Sequence, residues 1–128
     1  MSRSYKTEDY WDVAPYIMAD GAQSVIDFLK ATFDAEELRR HDNADGAVMH
    51  AELRIGDTVI MLADGGGSFP AFPAWVHVYV PDVDETYRRG LAAGGESAQE
   101  PQQKGDPDRR GGVKDPAGNI WWIATQVG

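Results

Sequence analysis

Residues 75–95, WVHVYVPDVDETYRRGLAAGG, combine a strand pattern and a helix pattern in direct succession. In the first six of these residues valine alternates with aromatic side chains, which predicts a strand over 75–80. Asp82 is a candidate helix N-cap, and Gly94-Gly95 is a typical helix end. An apolar stripe recurs every four residues between them, at Val83, Tyr87 and Leu91. The pattern therefore predicts a strand followed by a helix that buries one face.

The other half of the chain has the same order of elements. After the helix, residues 116–119 predict a hairpin turn that leads into an apolar strand. Residues 13–64 show an apolar strand, a helix of about 21–33 behind Asp20, and a hairpin turned at Gly56-Asp57. Two copies of so long a period indicate two fused modules rather than a solenoid. Function should lie in the cleft that the modules share.

These patterns predict an α+β fold in which two β-α-β-β-β modules form curved, barrel-like sheets with a concave cleft. The predicted parts of this one compact domain are an N-terminal extension (1–12), a first module (13–64), an inter-module loop (65–73) and a second module (74–128). With 128 residues and 42% hydrophobic content, the chain is large enough to bury a core.

Composition argues against several classes of protein. No run approaches the roughly 18 apolar residues that span a bilayer, and the first residues lack the apolar stretch of a signal peptide. Cysteine is absent, which is consistent with a reducing compartment, and we expect a cytoplasmic protein. The formal net charge of -9 makes nucleic acid an unsuitable partner. We expect neither nucleic acid nor a membrane among the partners.

Alternation assigns one face of the strands to the helices. The helix-facing positions are Val13, Ile17, Ala51, Leu53, Ile55, Ile60, Leu62, Val76, Val78, Val80, Trp121 and Ile123. The positions of opposite parity are Tyr16, Met18, His50, Glu52, Met61, Trp75, His77, Tyr79 and Trp122. A face with this many aromatic groups and a few polar ones is typical of a small-molecule site. The alternative is a sheet-to-sheet or dimer interface.

Several motifs carry a family resemblance that extends over residues 13–126. They read VAPYI (13–17) with SVIDFL (24–29), VMHAELRIGD (48–57), VHVYV (76–80) with DVD (82–84), and VKDPAGN (113–119) ahead of Trp121. Together they resemble the vicinal oxygen chelate superfamily, the glyoxalase, bleomycin-resistance and extradiol-dioxygenase group. The resemblance implies paired β-α-β-β-β modules, commonly completed by a homodimer in which modules from two chains face each other.

Enzymes of that superfamily hold a divalent metal with His and Glu side chains on the first, fourth, fifth and eighth strands. The resemblance places those positions at Ala14, Met61, Trp75 and Trp122. Alanine has no donor atom, indole offers only an N–H, and a thioether is a poor ligand for hard divalent ions. The resemblance therefore implies a chain without the usual metal site. We expect no cofactor and no catalytic residues.

Two indoles at ligand positions suggest a different use of the cleft. Trp75 and Trp122, with Tyr16 and Tyr79 on the same face, offer flat surfaces for a planar aromatic ligand. Each such contact contributes roughly 0.5–1.5 kcal/mol beyond burial. This resembles the bleomycin-resistance branch, whose members sequester a drug without altering it. We predict non-catalytic binding of a planar aromatic molecule, such as an antibiotic, by a homodimer.

Two other functions stay open. His50 and Glu52 share one face of a strand, and His77 could approach them from the fifth strand, so a displaced metal site or general base is conceivable. Such a site would make the protein a metal-dependent glyoxalase- or dioxygenase-type enzyme. The third hypothesis is a protein interaction module that buries its aromatic face against another protein.

Two loops are candidate parts of the cleft rim. The inter-module loop carries Phe69 and Phe72, either as a lid over the cleft or as packing at a dimer seam. The segment 100–112, rich in Pro, Gln and Gly, is predicted to be a loop. The family resemblance implies that its Asp106, Asp108, Arg109 and Arg110 lie near the cleft rim.

Overall fold

A computed structural model describes residues 5–128. The first half contains β1 (Tyr16–Ala19), α1 (Ala22–Phe33), β2 (Glu36–Asp42), β3 (Val48–Ile55) and β4 (Thr58–Asp64). The second half contains β5 (Trp75–Tyr79), α2 (Val83–Ala92), β6 (Glu96–Gln103), β7 (Asp108–Lys114) and β8 (Ile120–Gln126). Both halves thus have the order strand, helix and three strands, which confirms the predicted repeat.

The strands form two separate sheets with the same connectivity. Their orders are β1-β4-β3-β2 and β5-β8-β7-β6, and in each sheet the first and last strands of the unit pair in parallel. The other neighbours pair antiparallel. The α+β class is confirmed. Each sheet is open rather than closed into a barrel.

One apolar core joins both halves. The fully buried side chains include Trp121, Phe28, Ile17, Leu53 and Ile123. Most predicted helix-facing positions belong to this core. Val13 does not, because it precedes β1 and is 82% exposed. The valines of β5 are only partly buried, since β5 is the edge strand of its sheet.

The two helices begin in different ways. Asp82 caps α2, where its side chain accepts a hydrogen bond from the Glu85 amide at 3.2 Å, as predicted. The prediction of Asp20 as the α1 cap is wrong, because the N-cap is Gly21 in the left-handed conformation. The carboxylate of Asp64 instead accepts from the Ala22 amide at 2.7 Å. Asp64, at the end of β4, therefore satisfies a free backbone amide in the first turn of α1, which a side-chain cap before the helix was expected to do.

The segment 100–112 is not a loop. It supplies the end of β6 and the start of β7, which are joined by a short turn over 104–107. The register between β6 and β7 is irregular around Gln99, so the alternation that identifies a strand is broken there. Both predicted hairpin turns, at 56–57 and 116–119, are confirmed.

Contacts between the helices link the halves. Arg89 of α2 donates to the Ala31 carbonyl at 3.0 Å and to both carboxylate oxygens of Asp34, at 2.6 and 3.2 Å. Gly90 lets α2 approach Val113 and Thr32, because a Cβ there would lie 3.2–3.4 Å from them. Within residues 5–128, no helix is both long and apolar enough to cross a bilayer.

Candidate functional site

Each sheet has an open face, the face turned away from the helices. On the first sheet a cross-strand row runs from Tyr16 to Met61, Glu52 and Arg39. On the second sheet a row runs from His77 to Trp122, Gly112 and Gln99. The predicted site residues on the strands therefore share the expected parity. They are divided between two sheets rather than gathered on one.

A hydrogen-bonded chain crosses the first open face. The Tyr16 hydroxyl lies 2.8 Å from His50 Nδ1, and His50 Nε2 lies 2.7 Å from Glu52 Oε2. The Tyr16 and His50 rings are tilted at a centroid distance of 5.5 Å. Glu52 is 4% exposed and Tyr16 is 48% exposed. These hydrogen bonds therefore connect the buried Glu52 carboxylate to the half-exposed Tyr16 phenol through the His50 imidazole.

The segment before β1 packs onto this face. Tyr10 donates its hydroxyl proton to Glu52 Oε1 at 2.6 Å, and Arg39 Nε donates to the same oxygen at 3.0 Å. Arg39 also donates to the Thr7 hydroxyl at 2.7 Å. Trp11 donates its indole N–H to the Asp57 carbonyl. The N-terminal segment thus completes the hydrogen bonding of the buried carboxylate.

The charge state of Glu52 follows from these contacts. Burial alone would raise the pKa of Glu52. Hydrogen bonds from Tyr10 and His50, together with the charge of Arg39, outweigh burial and hold the pKa of Glu52 below its ordinary value. Glu52 is therefore an ionised acceptor at neutral pH.

The second open face is built around Trp122. A Cβ on Gly112 would lie 2.7 Å from the Trp122 ring, so only glycine lets the indole lie directly on the backbone of β7. Trp75 meets Trp122 edge-on with ring centroids 5.4 Å apart. Trp75 is 72% exposed and Tyr79 is 65% exposed. The result is an indole held against the sheet with exposed aromatic rings beside it.

The Trp122 indole nitrogen is an exception to ordinary hydrogen bonding. Its N–H is buried and has no acceptor among the residues that the structure describes. A buried donor without a partner costs about 1–3 kcal/mol. By contrast, the Trp121 indole in the core donates to Asp115 Oδ2 at 2.9 Å.

A second polar cluster borders this aromatic face. Arg110 Nε donates to His77 Nε2 at 3.1 Å, and its NH2 group donates to Asp108 Oδ2 at 2.8 Å. Tyr79 donates to the same carboxylate oxygen at 2.7 Å, which raises the pKa of Tyr79. Partial desolvation and the Arg110 charge lower the pKa of His77, and Asp108 opposes them. His77 is therefore a neutral acceptor at neutral pH.

Two grooves border the predicted site residues. One has a volume of about 470 Å³ and is lined by Tyr16, Met18 and Phe69, among others. The other has a volume of about 720 Å³, lies between β5 and the β3–β4 hairpin, and includes His77 and Tyr79. The remaining predicted residues line neither groove: His50, Glu52, Met61, Phe72, Trp75 and Trp122. Phe72 is 61% exposed, and its backbone amide donates to the Met18 carbonyl at 3.2 Å.

The structure does not gather the alternative metal ligands of the sequence analysis at one site. His50 and Glu52 are bonded to each other on the first sheet, whereas His77 is on the second sheet and accepts from Arg110. No three His, Cys, Asp or Glu side chains within residues 5–128 are grouped so that they could hold a metal ion. Within the described residues, His50, Glu52 and His77 are therefore not brought together as a ligand set. Ala14, at a position that the family resemblance assigns to metal, even precedes β1.

Sequence reasoning missed several residues of these clusters. Arg39 and Tyr10 carry no local signal, because their partner Glu52 is distant in the chain. Asp108 and Arg110 were expected near the cleft rim, but their alternation within a strand was hidden by the assignment of that segment to a loop. The Asp115 turn has a structural role, since its carboxylate accepts from Ala117, Asn119 and Trp121.

Comparisons with known proteins agree with this architecture. Uncharacterized proteins of Mycobacterium bovis and Mycobacterium tuberculosis are each 38% identical to this chain over 90% of its length, covering 83% and 74% of the relatives. The crystal structure of TioX from Micromonospora sp. ML1 has a TM-score of 0.73 and 26% identity, covering 92% of this chain and 98% of TioX. A fosfomycin resistance protein from Mesorhizobium loti shares the fold, with a TM-score of 0.64 and 16% identity. The match covers 88% of this chain and 89% of that protein.

A family model supplies the assignment. The model is described as Glyoxalase/Bleomycin resistance protein/Dioxygenase superfamily, and it matches residues 13–123. That range covers all ten helices and strands except the last residues of β8. The chain belongs to the glyoxalase/bleomycin resistance/dioxygenase superfamily.

Proposed function

We propose that the protein binds and sequesters a planar aromatic small molecule on the open face of the second sheet, without altering it there. The observation that carries this proposal is the Trp122 indole, seated on Gly112 beside the exposed Trp75. The family's name includes bleomycin resistance, which supports an antibiotic or a similar compound as the ligand. Met61, Trp75 and Trp122, at positions that the family resemblance assigns to metal ligands, offer no suitable donor for a hard divalent ion, which favours binding over metal-dependent chemistry.

Aromatic geometry supports a flat ligand. A ring stacked on Trp75 or Tyr79 would cover side chains that are 72% and 65% exposed. Offset or edge-on ring pairs contribute about 0.5–1.5 kcal/mol each beyond the burial of area. Because Gly112 fixes the height of Trp122 above the sheet, this part of the surface is formed before the ligand arrives.

The unpartnered Trp122 N–H sets a second requirement. A ligand with a carbonyl or ring-nitrogen acceptor would satisfy this donor, which lacks a partner within the described part of the chain. The N–H is buried, so the ligand must displace a neighbour to reach it. Trp75 packs edge-on against Trp122 and is mostly exposed, and its rotation would open the way. The proposed ligand therefore combines a flat ring system with a hydrogen-bond acceptor.

We propose further that the working form is a homodimer. In one chain the aromatic residues of the two open faces stand on separate sheets, and several remain exposed, including Tyr16, Trp75 and Tyr79. A second copy that placed its first sheet over the second sheet of its partner would cover these side chains and enclose the ligand. Sedimentation equilibrium tests this proposal, and a monomer at micromolar concentration would contradict it.

Tryptophan fluorescence titration of the metal-stripped protein tests the binding function. The probes are planar aromatic antibiotics and aromatic metabolites, and the variants are Trp75→Ala and Trp122→Phe. Trp11→Phe is the matched control, because Trp11 is also exposed, at 58%, and belongs to the N-terminal segment. We expect saturable quenching in the wild type. Either site variant should raise the Kd of the probe at least about tenfold, which corresponds to the loss of one or two aromatic contacts. Quenching that requires added metal, or that only Trp11→Phe removes, would contradict the proposal.

A further inference from the structure

We propose that Tyr16, His50 and Glu52 form a proton-transfer site on the first open face. In this site the Tyr16 oxygen would take a proton from a bound, mainly apolar small molecule that carries a weakly acidic proton. The three side chains lie in one line of hydrogen bonds, at 2.8 Å and 2.7 Å. This site uses only residues of the first sheet, whereas the binding function proposed above rests on Trp75 and Trp122 of the second.

The hydrogen-bond partners determine where the protons lie. Glu52 is ionised and accepts hydrogen bonds, so His50 Nε2 must carry a proton and donate it. In a neutral imidazole Nδ1 is then an acceptor, and the Tyr16 hydroxyl donates to it. A buried carboxylate, an oriented imidazole and a hydroxyl in this order are the arrangement that activates hydroxyl nucleophiles in hydrolases.

Glu52 is held firmly enough for this role. Tyr10 and Arg39 both donate to Oε1, while His50 donates to Oε2, so hydrogen bonds hold both carboxylate oxygens in place. The carboxylate is 4% exposed, which excludes water from it. An imidazolium formed at His50 would therefore be stabilised by a nearby, preorganised negative charge.

The phenol end of the chain meets a suitable binding surface. Tyr16 is half-exposed and lines the groove of about 470 Å³. The groove is mostly apolar, with Met18, Met49 and Phe69 among its lining residues. Its polar lining residues are Asn43 and Asp64, and both carboxylate oxygens of Asp64 accept from backbone amides. An apolar molecule with one acidic group would fit these walls and place that group at the Tyr16 oxygen.

The transfer is balanced within the three residues. The substrate loses one proton to the Tyr16 oxygen, Tyr16 passes its own hydroxyl proton to His50 Nδ1, and Tyr16 ends as a neutral phenol. His50 becomes an imidazolium paired with Glu52, and the substrate keeps the electron pair as an anion. No oxidant, reductant or metal enters the step.

The second sheet provides an internal control. Tyr79 is also exposed and also donates a hydrogen bond, but its acceptor is the Asp108 carboxylate, which Arg110 already neutralises. A carboxylate is a weaker base than an imidazole. Tyr79 should therefore lack the activation proposed for Tyr16.

Benzenesulfonyl fluoride, a small neutral and apolar electrophile, tests the inference. The Tyr16 oxygen would attack sulfur, the S–O bond would form as the S–F bond breaks, fluoride would leave, and the phenol proton would pass to His50 and then to solvent. Peptide mapping by mass spectrometry measures the rate of adduct formation at each tyrosine. We expect Tyr16 to react on the order of 100-fold faster than Tyr79, the usual contribution of a positioned base.

Three variants make the test decisive. Circular dichroism and tryptophan fluorescence first check that His50→Asn and Glu52→Gln are folded. In both variants the Tyr16 rate should fall toward that of Tyr79. Tyr16→Phe should remove that adduct and leave the Tyr79 rate unchanged. If native Tyr16 reacts no faster than Tyr79, or if His50→Asn leaves the Tyr16 rate unchanged, the chain of hydrogen bonds is only structural and the inference is wrong.

Discussion

The two open faces contain the same four kinds of group in different orders. On the first sheet the histidine lies between the tyrosine and the carboxylate, and the arginine binds the far side of the carboxylate. On the second sheet the arginine lies between the histidine and the carboxylate, and the tyrosine binds the carboxylate directly. A duplicated fold has therefore placed one set of side chains in two arrangements.

The order of the groups decides what each cluster can do. A guanidinium does not release its proton, so His77, which accepts from Arg110, is fixed as a neutral acceptor. His50 instead faces a phenol, which can give a proton, and an ionised carboxylate that stabilises the product. Only the second face adds a pair of indoles. The comparison indicates that the first face is suited to proton transfer and the second to binding.

The largest expected effect is on stability, from removal of the two carboxylates. Glu52→Ala should lower the free energy of unfolding by about 3 kcal/mol, because it leaves three donors from three parts of the chain unpaired. Asp108→Ala should cost about half as much, since its partners Tyr79 and Arg110 can turn to solvent. Urea unfolding followed by tryptophan fluorescence measures both. Equal losses would show that the two carboxylates are bound equally firmly.

A glycine substitution tests the aromatic face. Gly112→Ala should lower the free energy of unfolding by about 1–3 kcal/mol, because the new Cβ would lie 2.7 Å from the Trp122 ring and must displace it. Gly111→Ala, on the other face of the same strand, is the matched control for ligand binding, because its Cβ would also be crowded, 3.1 Å from Pro101, but would not touch Trp122. Ligand quenching should be weakened only by Gly112→Ala. If Gly112→Ala binds the ligand normally, the position of the Trp122 ring against the β7 backbone does not matter for binding.

Much of this fold could be predicted because its signals are local. The alternating strand at 75–79, the Asp82 cap and the two hairpin turns each depend on a few neighbouring residues. The errors occurred where distant residues intervene. Asp64 caps a helix that begins 42 positions earlier in the chain, and β6 has an irregular register that hides its alternation.

The site was predictable to a smaller extent. Parity identified Tyr16, His50 and Glu52 as residues of one face, and it identified Trp122 as the indole outside the core. Parity alone could not show that the two faces belong to separate sheets, nor that the N-terminal segment reaches Glu52. These facts depend on how the halves pack, which no short pattern encodes.

A smaller effect is expected when the free energy of unfolding is measured as a function of acidic pH. The folded pKa of Glu52 lies below its ordinary value of 4.5, so its ionisation stabilises the protein above pH 4.5. This stabilisation is lost as the pH falls through and below that value. Glu52→Gln has no such charge to lose, so its free energy of unfolding should fall less steeply than that of the wild type. Glu8→Gln is the control for net charge, and a steeper acid loss in Glu52→Gln would contradict the proposed role.

The smallest expected effect concerns His77. Partial desolvation and the Arg110 charge hold the pKa of His77 below its ordinary value of 6.5, so the folded state favours the neutral ring. The contribution of the neutral His77 ring to the free energy of unfolding is therefore complete above pH 6.5, and it is lost as the pH falls below that value. NMR titration of the ring protons should therefore give His77 a pKa below 6.5 in the wild type. Arg110→Gln should raise that pKa toward the ordinary value, because it removes the adjacent cation. A pKa that does not move would mean that desolvation alone keeps His77 neutral, and the contrast with His50 would then not depend on the arginine.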